Sequence, residues 1–198
     1  MGWTGTYRYP NESVDQFFER EFNGWEFVGK GALVHMKEYY RAVHIPAEKS
    51  KDGKEHYFCL VCLVHFERGE SNMNYKDMTE DELPYYFNCP ERVLKIVERD
   101  NLEDETKYPK DEKRENAIKW RKECRRKLAR RKETRKLKDG AVIKFPREFN
   151  FGSFKEDTFI VRKRGWGRRK TKHLVSKSTG YSVRIPEWEG TEYEIISE

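Results

Sequence analysis

The most concentrated chemistry in this sequence is a run of cationic side chains between residues 113 and 138. Fourteen Lys and Arg residues lie there, and only three glutamates lie among them. On a helix, like charges four residues apart, such as Arg121 and Arg125, repel each other by a few tenths of a kcal/mol per pair. A polyanion offsets that repulsion, because each neutralised phosphate releases condensed counterions. The candidate contacts are Arg121, Lys122, Arg125, Arg126, Arg130, Arg131 and Arg135.

The run favours nucleic acid as the partner but leaves two alternatives open. A solvated charged face carries the same composition without binding anything. An acidic protein surface is the other anionic partner that such a face can meet.

A second basic segment, residues 162–173, places an aromatic residue among cations. Gly165 and Gly167 flank Trp166, and glycine lets a backbone approach a phosphate closely. Trp166 can stack on an unpaired base, which favours RNA or single-stranded DNA over a duplex groove. The alternative is a hairpin tip with an exposed Trp. The candidate contacts here are Arg162, Arg164, Trp166, Arg168, Arg169 and Lys170.

Residues 56–65 have the spacing His-x-x-Cys-x-x-Cys-x-x-His, which resembles a zinc site. A chelating Cys-x-x-Cys pair normally sits in a tight turn, whereas Leu60 and Val61 occupy the intervening positions here. Side chains alternate along a strand, so Cys59 and Cys62 are expected on opposite faces. The pattern therefore favours a buried strand over a metal site.

Cys89 precedes Pro90 at a predicted helix N-terminus. The helix dipole there lowers a thiol pKa, so Cys89 is a candidate nucleophile or redox site. The alternative is a helix-entry residue packed under the sheet.

Four carboxylates, Asp77, Glu80, Asp81 and Glu82, follow Tyr75. Together they could hold Mg²⁺ for phosphodiester cleavage, whereas most such runs are exposed turns. The sequence has no Gly-rich phosphate loop and no G-x-S-x-G motif, so it predicts no cofactor and no catalytic residues.

Charge is divided unevenly along the 198 residues. The net charge is +6, made up of −6 over residues 1–110 and +12 over residues 111–198, which predicts a partner bound on one side. Hydrophobic residues make up 36% and aromatic residues 14%, enough for a thin core. Four cysteines and no apolar run of about 20 residues predict a cytoplasmic protein with reduced thiols and no membrane partner.

The pattern of apolar residues predicts an α+β fold. The N-terminal part is expected to hold an antiparallel sheet with helices: a helix over 14–22, strands within 25–36, 38–45 and 56–66, a loop at 71–75, a helical turn at 77–83 and a helix from 90 to 99.

A long basic helix over 111–138, ended by Gly140, is expected next. Five short strands then predict a small bent sheet or barrel. The predicted domains are 1–105, 106–139 and 140–198.

Five sequence blocks carry a resemblance to a known family: Met1-Gly2-Trp3-Thr4, Tyr75-Lys76-Asp77-Met78 with Glu80, Pro84-Tyr85-Tyr86 leading to Cys89-Pro90, the helix from Trp120-Arg121 to Leu128, and Tyr193-Glu194-Ile195-Ile196. Together they resemble an uncharacterised protein family of bacteriophages and mobile elements of Gram-positive bacteria. Members of this family often carry Met-Gly-Pro where this chain has Asp81-Glu82-Leu83-Pro84. The resemblance implies a phage or prophage setting, a bacterial host cell and an accessory protein rather than a metabolic enzyme.

The leading hypothesis is a non-enzymatic phage or prophage accessory protein that binds nucleic acid, RNA or DNA, or a nucleoprotein complex. The second is a protein that inhibits a host nucleic-acid-dependent defence complex, such as a CRISPR nuclease. The third is a metal-dependent nuclease that uses the carboxylates of residues 77–82.

Overall fold

The computed structural model describes residues 3–66, 72–83, 85–165 and 171–197. The chain divides into two compact units, Met1–Arg126 (unit 1) and Lys127–Glu198 (unit 2). Each unit holds one five-stranded antiparallel sheet, which confirms the predicted α+β class. The division into 1–105, 106–139 and 140–198 stays a prediction.

The elements before the second sheet, in chain order, are β1 (Thr4–Tyr7), α1 (Val14–Glu21), β2 (Glu26–Val34), β3 (Glu38–Ile45), β4 (His56–Phe66), β5 (Asn72–Thr79), α2 (Glu91–Val97) and α3 (Glu112–Thr134).

The first sheet has the strand order β1-β5-β4-β3-β2, with β4 at its centre. Leu60 and Cys62 of β4 pack on one face against Phe17 and Phe18 of α1. Cys59 and Val61 point to the other face and are equally buried, because α2 packs against β2, β3 and β4. The prediction of a strand covered on both faces is confirmed, and it explains the unbroken apolar run.

Helix α1 begins with a capping box. The Ser13 hydroxyl accepts a hydrogen bond from the Gln16 N–H at 3.2 Å, and the Gln16 side chain accepts one from the Ser13 N–H at 2.8 Å. The apolar face of the helix then carries Phe18, which stacks on Tyr39 with ring centroids 4.3 Å apart. The predicted helix over 14–22 is confirmed to within one residue.

The predicted loop at 71–75 is wrong, because β5 occupies Asn72–Thr79 and pairs with the unpredicted strand β1. Met73 and Tyr75 are buried, whereas Asn72 and Asn74 are only partly buried. This is the period-2 pattern of a strand, but asparagine is typical of turns and concealed it. The predicted helical turn is a 3₁₀ turn over Glu80–Glu82.

Helix α3 ends earlier than the sequence predicts. It begins where the Asp111 side chain accepts a hydrogen bond from the Arg114 N–H at 2.8 Å, and it ends at Thr134 rather than near 138. Residues 135–136 continue as a turn, and the Leu137 N–H donates to the Thr134 carbonyl at 3.2 Å. None of the helices described is both long and apolar enough to cross a membrane.

The second sheet contains β6 (Val142–Asn150), β7 (Lys155–Arg164), β8 (Thr171–Ser176), β9 (Ser182–Val183) and β10 (Glu194–Ser197) in the order β10-β6-β7-β8-β9. Its β6–β7 register shifts between Lys144 and Phe149. The two end strands do not pair with each other in the described part of unit 2, so the sheet is not closed into a barrel.

The core of unit 2 lies on one face of this sheet. Buried sheet residues pack there with five residues from outside the strands: Leu137, Ala141, Ile185, Trp188 and Tyr193. The sheet residues are Ile143, Phe145, Phe159, Val161 and Leu174.

Replacement of Phe18 by Ala is expected to destabilise unit 1 by about 3–5 kcal/mol, because it removes a fully buried ring and leaves a cavity. Urea denaturation followed by circular dichroism measures the change. The control is Tyr85→Ala, which removes a ring that is 68% exposed and is expected to change stability by less than about 0.5 kcal/mol. Equal midpoints for the two variants would contradict the described core.

Candidate nucleic-acid interface

Arg121 is a structural residue of unit 1. Its side chain is 8% exposed, and its guanidinium donates to Glu80 Oε1 at 2.6 and 3.1 Å. The same group donates to the carbonyls of Asp100 at 2.8 Å and Tyr57 at 3.1 Å. Arg121 therefore fastens α3 to the loop after α2 and to β4, a role that the sequence analysis did not give it.

The neighbouring cations of α3 in unit 1 face carboxylates. Lys122 Nζ lies 2.8 Å from Glu103, Arg125 Nε lies 2.7 Å from Glu98, and Arg126 Nη2 lies 3.0 Å from Glu123. Each partly exposed pair contributes little stability. Their common effect is that the acidic residues of unit 1 offset the charge of this part of the helix.

Glu80 is the buried partner of Arg121. Burial raises the pKa of this carboxyl to about 7, although Arg121 acts in the opposite direction. Its second oxygen, Oε2, has no hydrogen-bond partner within the described residues. Because Glu80 turns inward to Arg121, the carboxylates of residues 77–82 do not face one another as a set. Across residues 3–66, 72–83, 85–165 and 171–197, no three His, Cys, Asp or Glu side chains are placed to hold a metal ion.

The cysteines of unit 1 are packed in its interior. Cys62 lies on the α1 side of the sheet, and Cys59 lies on the other side beside Cys89, as the alternation of a strand predicts. The prediction of a lowered thiol pKa at Cys89 is wrong. Burial raises the pKa of Cys89 well above its ordinary value, because the thiol is fully enclosed and the desolvation outweighs any helix dipole.

Unit 2 carries most of the unbalanced charge, with nineteen Lys and Arg residues against ten Asp and Glu residues over residues 127–198. The first cations of its share of α3 are engaged within the unit. Lys127 Nζ lies 3.3 Å from Glu187, and the Arg130 guanidinium lies over the Tyr193 ring, 5.4 Å from its centroid. Arg131 is half-buried beside Gly190.

The end of α3 and the adjoining ends of β7 and β8 meet in unit 2. Lys172 Nζ donates to the carbonyl of Thr134, the last residue of α3, which also accepts the Leu137 N–H; a cation is favourable at this end of the helix dipole. Asp139 Oδ1 accepts a hydrogen bond from the Lys163 N–H at 2.6 Å. These contacts bring two basic segments to one end of the unit. We call this set the basic end: Arg135, Lys136, Lys138, Arg162, Lys163, Arg164 and Lys172.

Several cations of the basic end lie close to one another or have no ion pair among the described residues. Lys163 and Lys172 lie directly opposite each other in the β7–β8 register, an arrangement that disfavours folding. Burial, followed by the charge of Lys163, lowers the pKa of Lys172. Arg135 and Lys136 are exposed and have no ion pair among the residues with described positions. Asp139 lies 3.6 Å from Arg162, and both side chains are about half exposed.

Four predicted contacts, Trp166, Arg168, Arg169 and Lys170, lie outside the described residues, and their role stays a prediction. The described part of the candidate interface combines Arg135 with Arg162 and Arg164. The sequence analysis missed Lys163 and Lys172 as a facing pair. The two residues lie at equal sequence distances from the midpoint of the basic segment 162–173, and this symmetry was a signal that could have identified them as a pair.

Residues 111–188 match the model of DUF6927, a domain of unknown function. The matched segment runs from the start of α3 through β9, so it includes every residue of the basic end. No curated protein and no solved structure shows significant similarity to this chain.

Two arginines near α3 are expected to respond differently to truncation. Arg121→Ala leaves Glu80 buried without its cation and is expected to destabilise unit 1 by about 3–5 kcal/mol. Arg135→Ala, the matched control, removes an exposed side chain and is expected to change stability by less than about 0.5 kcal/mol. Denaturant unfolding measures both, and an Arg121 variant as stable as the Arg135 variant would contradict the structural role.

Glu80 is expected to make the stability of unit 1 fall as the pH rises. Its pKa of about 7 in the folded protein lies above the ordinary value of 4.5, so the folded chain holds this proton more tightly. The resulting stabilisation is complete below pH 4.5 and is lost as the pH rises through 7.

Urea midpoints measured between about pH 5 and pH 8 test this expectation. Glu80→Gln is expected to flatten the profile, whereas Glu105→Gln, which alters an exposed carboxylate, is expected to leave it unchanged. A Glu80→Gln profile as steep as that of the wild type would show that another group titrates.

Proposed function

We propose that this protein is a non-enzymatic nucleic-acid-binding protein and that the basic end of unit 2 is its contact surface. The observation that carries the proposal is the contrast between the cations of α3 in unit 1 and those of the turn that follows α3. Arg121, Lys122, Arg125 and Arg126 have carboxylate partners, whereas Arg135 and Lys136 have none among the described residues. A phosphate backbone supplies the missing anions.

The chemistry of the exposed cations favours phosphate as the anion. Arg135, Arg162 and Arg164 present planar guanidinium groups, which match phosphate oxygens in pairs. Several such groups at one end of the unit can engage consecutive phosphates, and each contact releases counterions into solution. The weak Arg162–Asp139 pair at 3.6 Å can give way to a phosphate at small cost.

The proposed surface is smaller than the one that the sequence suggests. It leaves out Arg121, which is buried, and Arg125, which is paired with Glu98. The proposed setting is a phage or prophage in a bacterial cell, where the protein is an accessory factor. The sequence blocks that resemble a phage family, including Trp120-Arg121 to Leu128 on α3, support this setting.

A charge-reversed variant with Arg135, Lys136 and Arg164 replaced by Glu tests the proposal. Fluorescence anisotropy with labelled RNA and DNA at several salt concentrations measures affinity and its salt dependence. The variant is expected to bind at least about tenfold more weakly, and the slope of log K against log salt is expected to fall by about 0.9 for each lost phosphate contact.

The matched control reverses Lys119, Lys122 and Arg126, which lie on α3 in unit 1 and change the net charge equally. It is expected to lose less than about threefold in affinity, since long-range screening leaves only a small effect of net charge. Equal losses in the two variants, or a wild type that binds no nucleic acid at low salt, would refute the proposal. A host protein retained by the wild type after nuclease treatment would instead favour a protein target.

A further inference from the structure

The second sheet has a face that is opposite to the core of unit 2. Phe159, Val161 and Leu174 point into that core, so the alternate positions of β6, β7 and β8 point away from it. We call this the outer face. Its residues are Val142, Lys144, Thr158, Ile160, Arg162, Arg164, Thr171, His173 and Val175.

The outer face is ordered in rows. Val142, Ile160 and Val175 lie side by side across β6, β7 and β8 and form a half-buried apolar row. Arg162 and His173 form the next row toward the basic end. Arg164 follows two residues along β7, about 6.6 Å beyond Arg162. Cations therefore flank apolar surface, a combination suited to bases with their phosphates alongside.

Gly140 leaves space beside Arg162. The Gly140 N–H donates to the Val161 carbonyl, and the Val161 N–H donates to the Ala141 carbonyl, both at 2.8 Å. Hydrogen bonding to β7 therefore begins before the first residue of β6. Gly140 adopts φ +94°, and Arg162 Nη1 lies 3.7 Å from the position that a Cβ on Gly140 would take. The guanidinium therefore lies over bare backbone, with no neighbouring side chain from Gly140 to cover it.

His173 supplies a second planar group in this row. The residue is half-buried, and its Nδ1 has no hydrogen-bond partner among the described residues. An unpaired buried ring nitrogen is unfavourable. A ring rotation that brings this nitrogen to the polar edge of a bound base would remove that penalty. His173 and Arg162 thus provide neighbouring planes on adjacent strands.

We infer that the outer face around Gly140, Arg162, Arg164 and His173 binds the unpaired bases of a single-stranded nucleic acid. This inference rests on the proposed function and names its substrate class. Unpaired bases stack on guanidinium planes and on aromatic rings, including imidazole. The rows of the outer face provide such planes beside an apolar strip.

The dimensions of the sheet oppose a duplex as the ligand. Five strands spaced about 4.8 Å apart span roughly 19 Å, which exceeds the width of about 12 Å of a B-DNA major groove. A face wider than the groove meets a duplex at its phosphates rather than at its base edges. A single strand can lay its bases against the same face.

The test uses a variant that keeps the positive charge but removes the planar guanidinium groups. Arg162→Lys with Arg164→Lys retains both positive charges and loses both guanidinium groups. The matched control, Lys155→Arg with Lys177→Arg, changes exposed cations elsewhere in unit 2 and also keeps the charge. The probes are a labelled RNA of about 20 nucleotides, long enough for several sites, and a DNA duplex of the same length.

The wild type is expected to bind the single strand more tightly than the duplex at about 0.15 M salt. The double Lys variant is expected to lose about five- to tenfold in affinity for the single strand and clearly less for the duplex, because stacking is lost while the positive charges that attract phosphate remain. The control is expected to match the wild type on both probes.

Two results would overturn the inference while leaving the proposed function intact: equal wild-type affinity for the two probes, or unchanged single-strand affinity in the double Lys variant. A wild type that binds neither probe would overturn the proposed function, and this inference with it. Tighter binding to polyglutamate than to RNA would show that the outer face recognises an acidic polypeptide instead.

Discussion

The constraint that governs this structure is the mutual repulsion of cations along α3 and the turns that follow it. Like charges one turn apart oppose helix formation, so each part of the segment needs another source of stability. In unit 1, buried contacts of Ala117, Trp120 and Cys124 and the Arg121–Glu80 pair provide it. A buried pair stabilises weakly by itself but makes the loss of either partner costly. Substitutions of Arg121 are therefore expected to destabilise unit 1 more than substitutions of the exposed cations of α3.

Local sequence signals were sufficient to predict those helices and strands whose formation depends on residues close together in the chain. The capping box of α1 and the apolar run of β4 identify these elements without knowledge of their neighbours. β5 and β1 depend on each other, since the pairing of Thr4 with Tyr75 joins segments distant in the chain. Asparagines at 72 and 74 favour a turn locally, and the tertiary pairing overrides that preference. The end of α3 was predicted too late for a similar reason. Lys172, which lies on β8, donates to the carbonyl of Thr134, where the helix ends.

The candidate site also has features that the local sequence predicts and features that only the fold reveals. Composition alone locates the basic segments 113–138 and 162–173. It does not distinguish Arg121 from Arg135, since both arginines lie among other cations in the sequence. Only the fold places Glu80 against Arg121 and leaves Arg135 exposed. The raised pKa of Cys89 follows from enclosure, which likewise has no local signal.

The basic end brings like charges together in unit 2, and the proposed anionic partner would offset them. The C-terminal carbonyls of α3 attract the Lys172 ammonium, which explains one cation of the set. They do not explain why Lys163 lies directly opposite Lys172, or why arginines occupy alternate positions 162 and 164 on the outer face. A sheet that needed only solubility could mix both signs of charge there. Phosphates that bridge these cations would convert their repulsion into binding free energy, which gives the arrangement a physical reason.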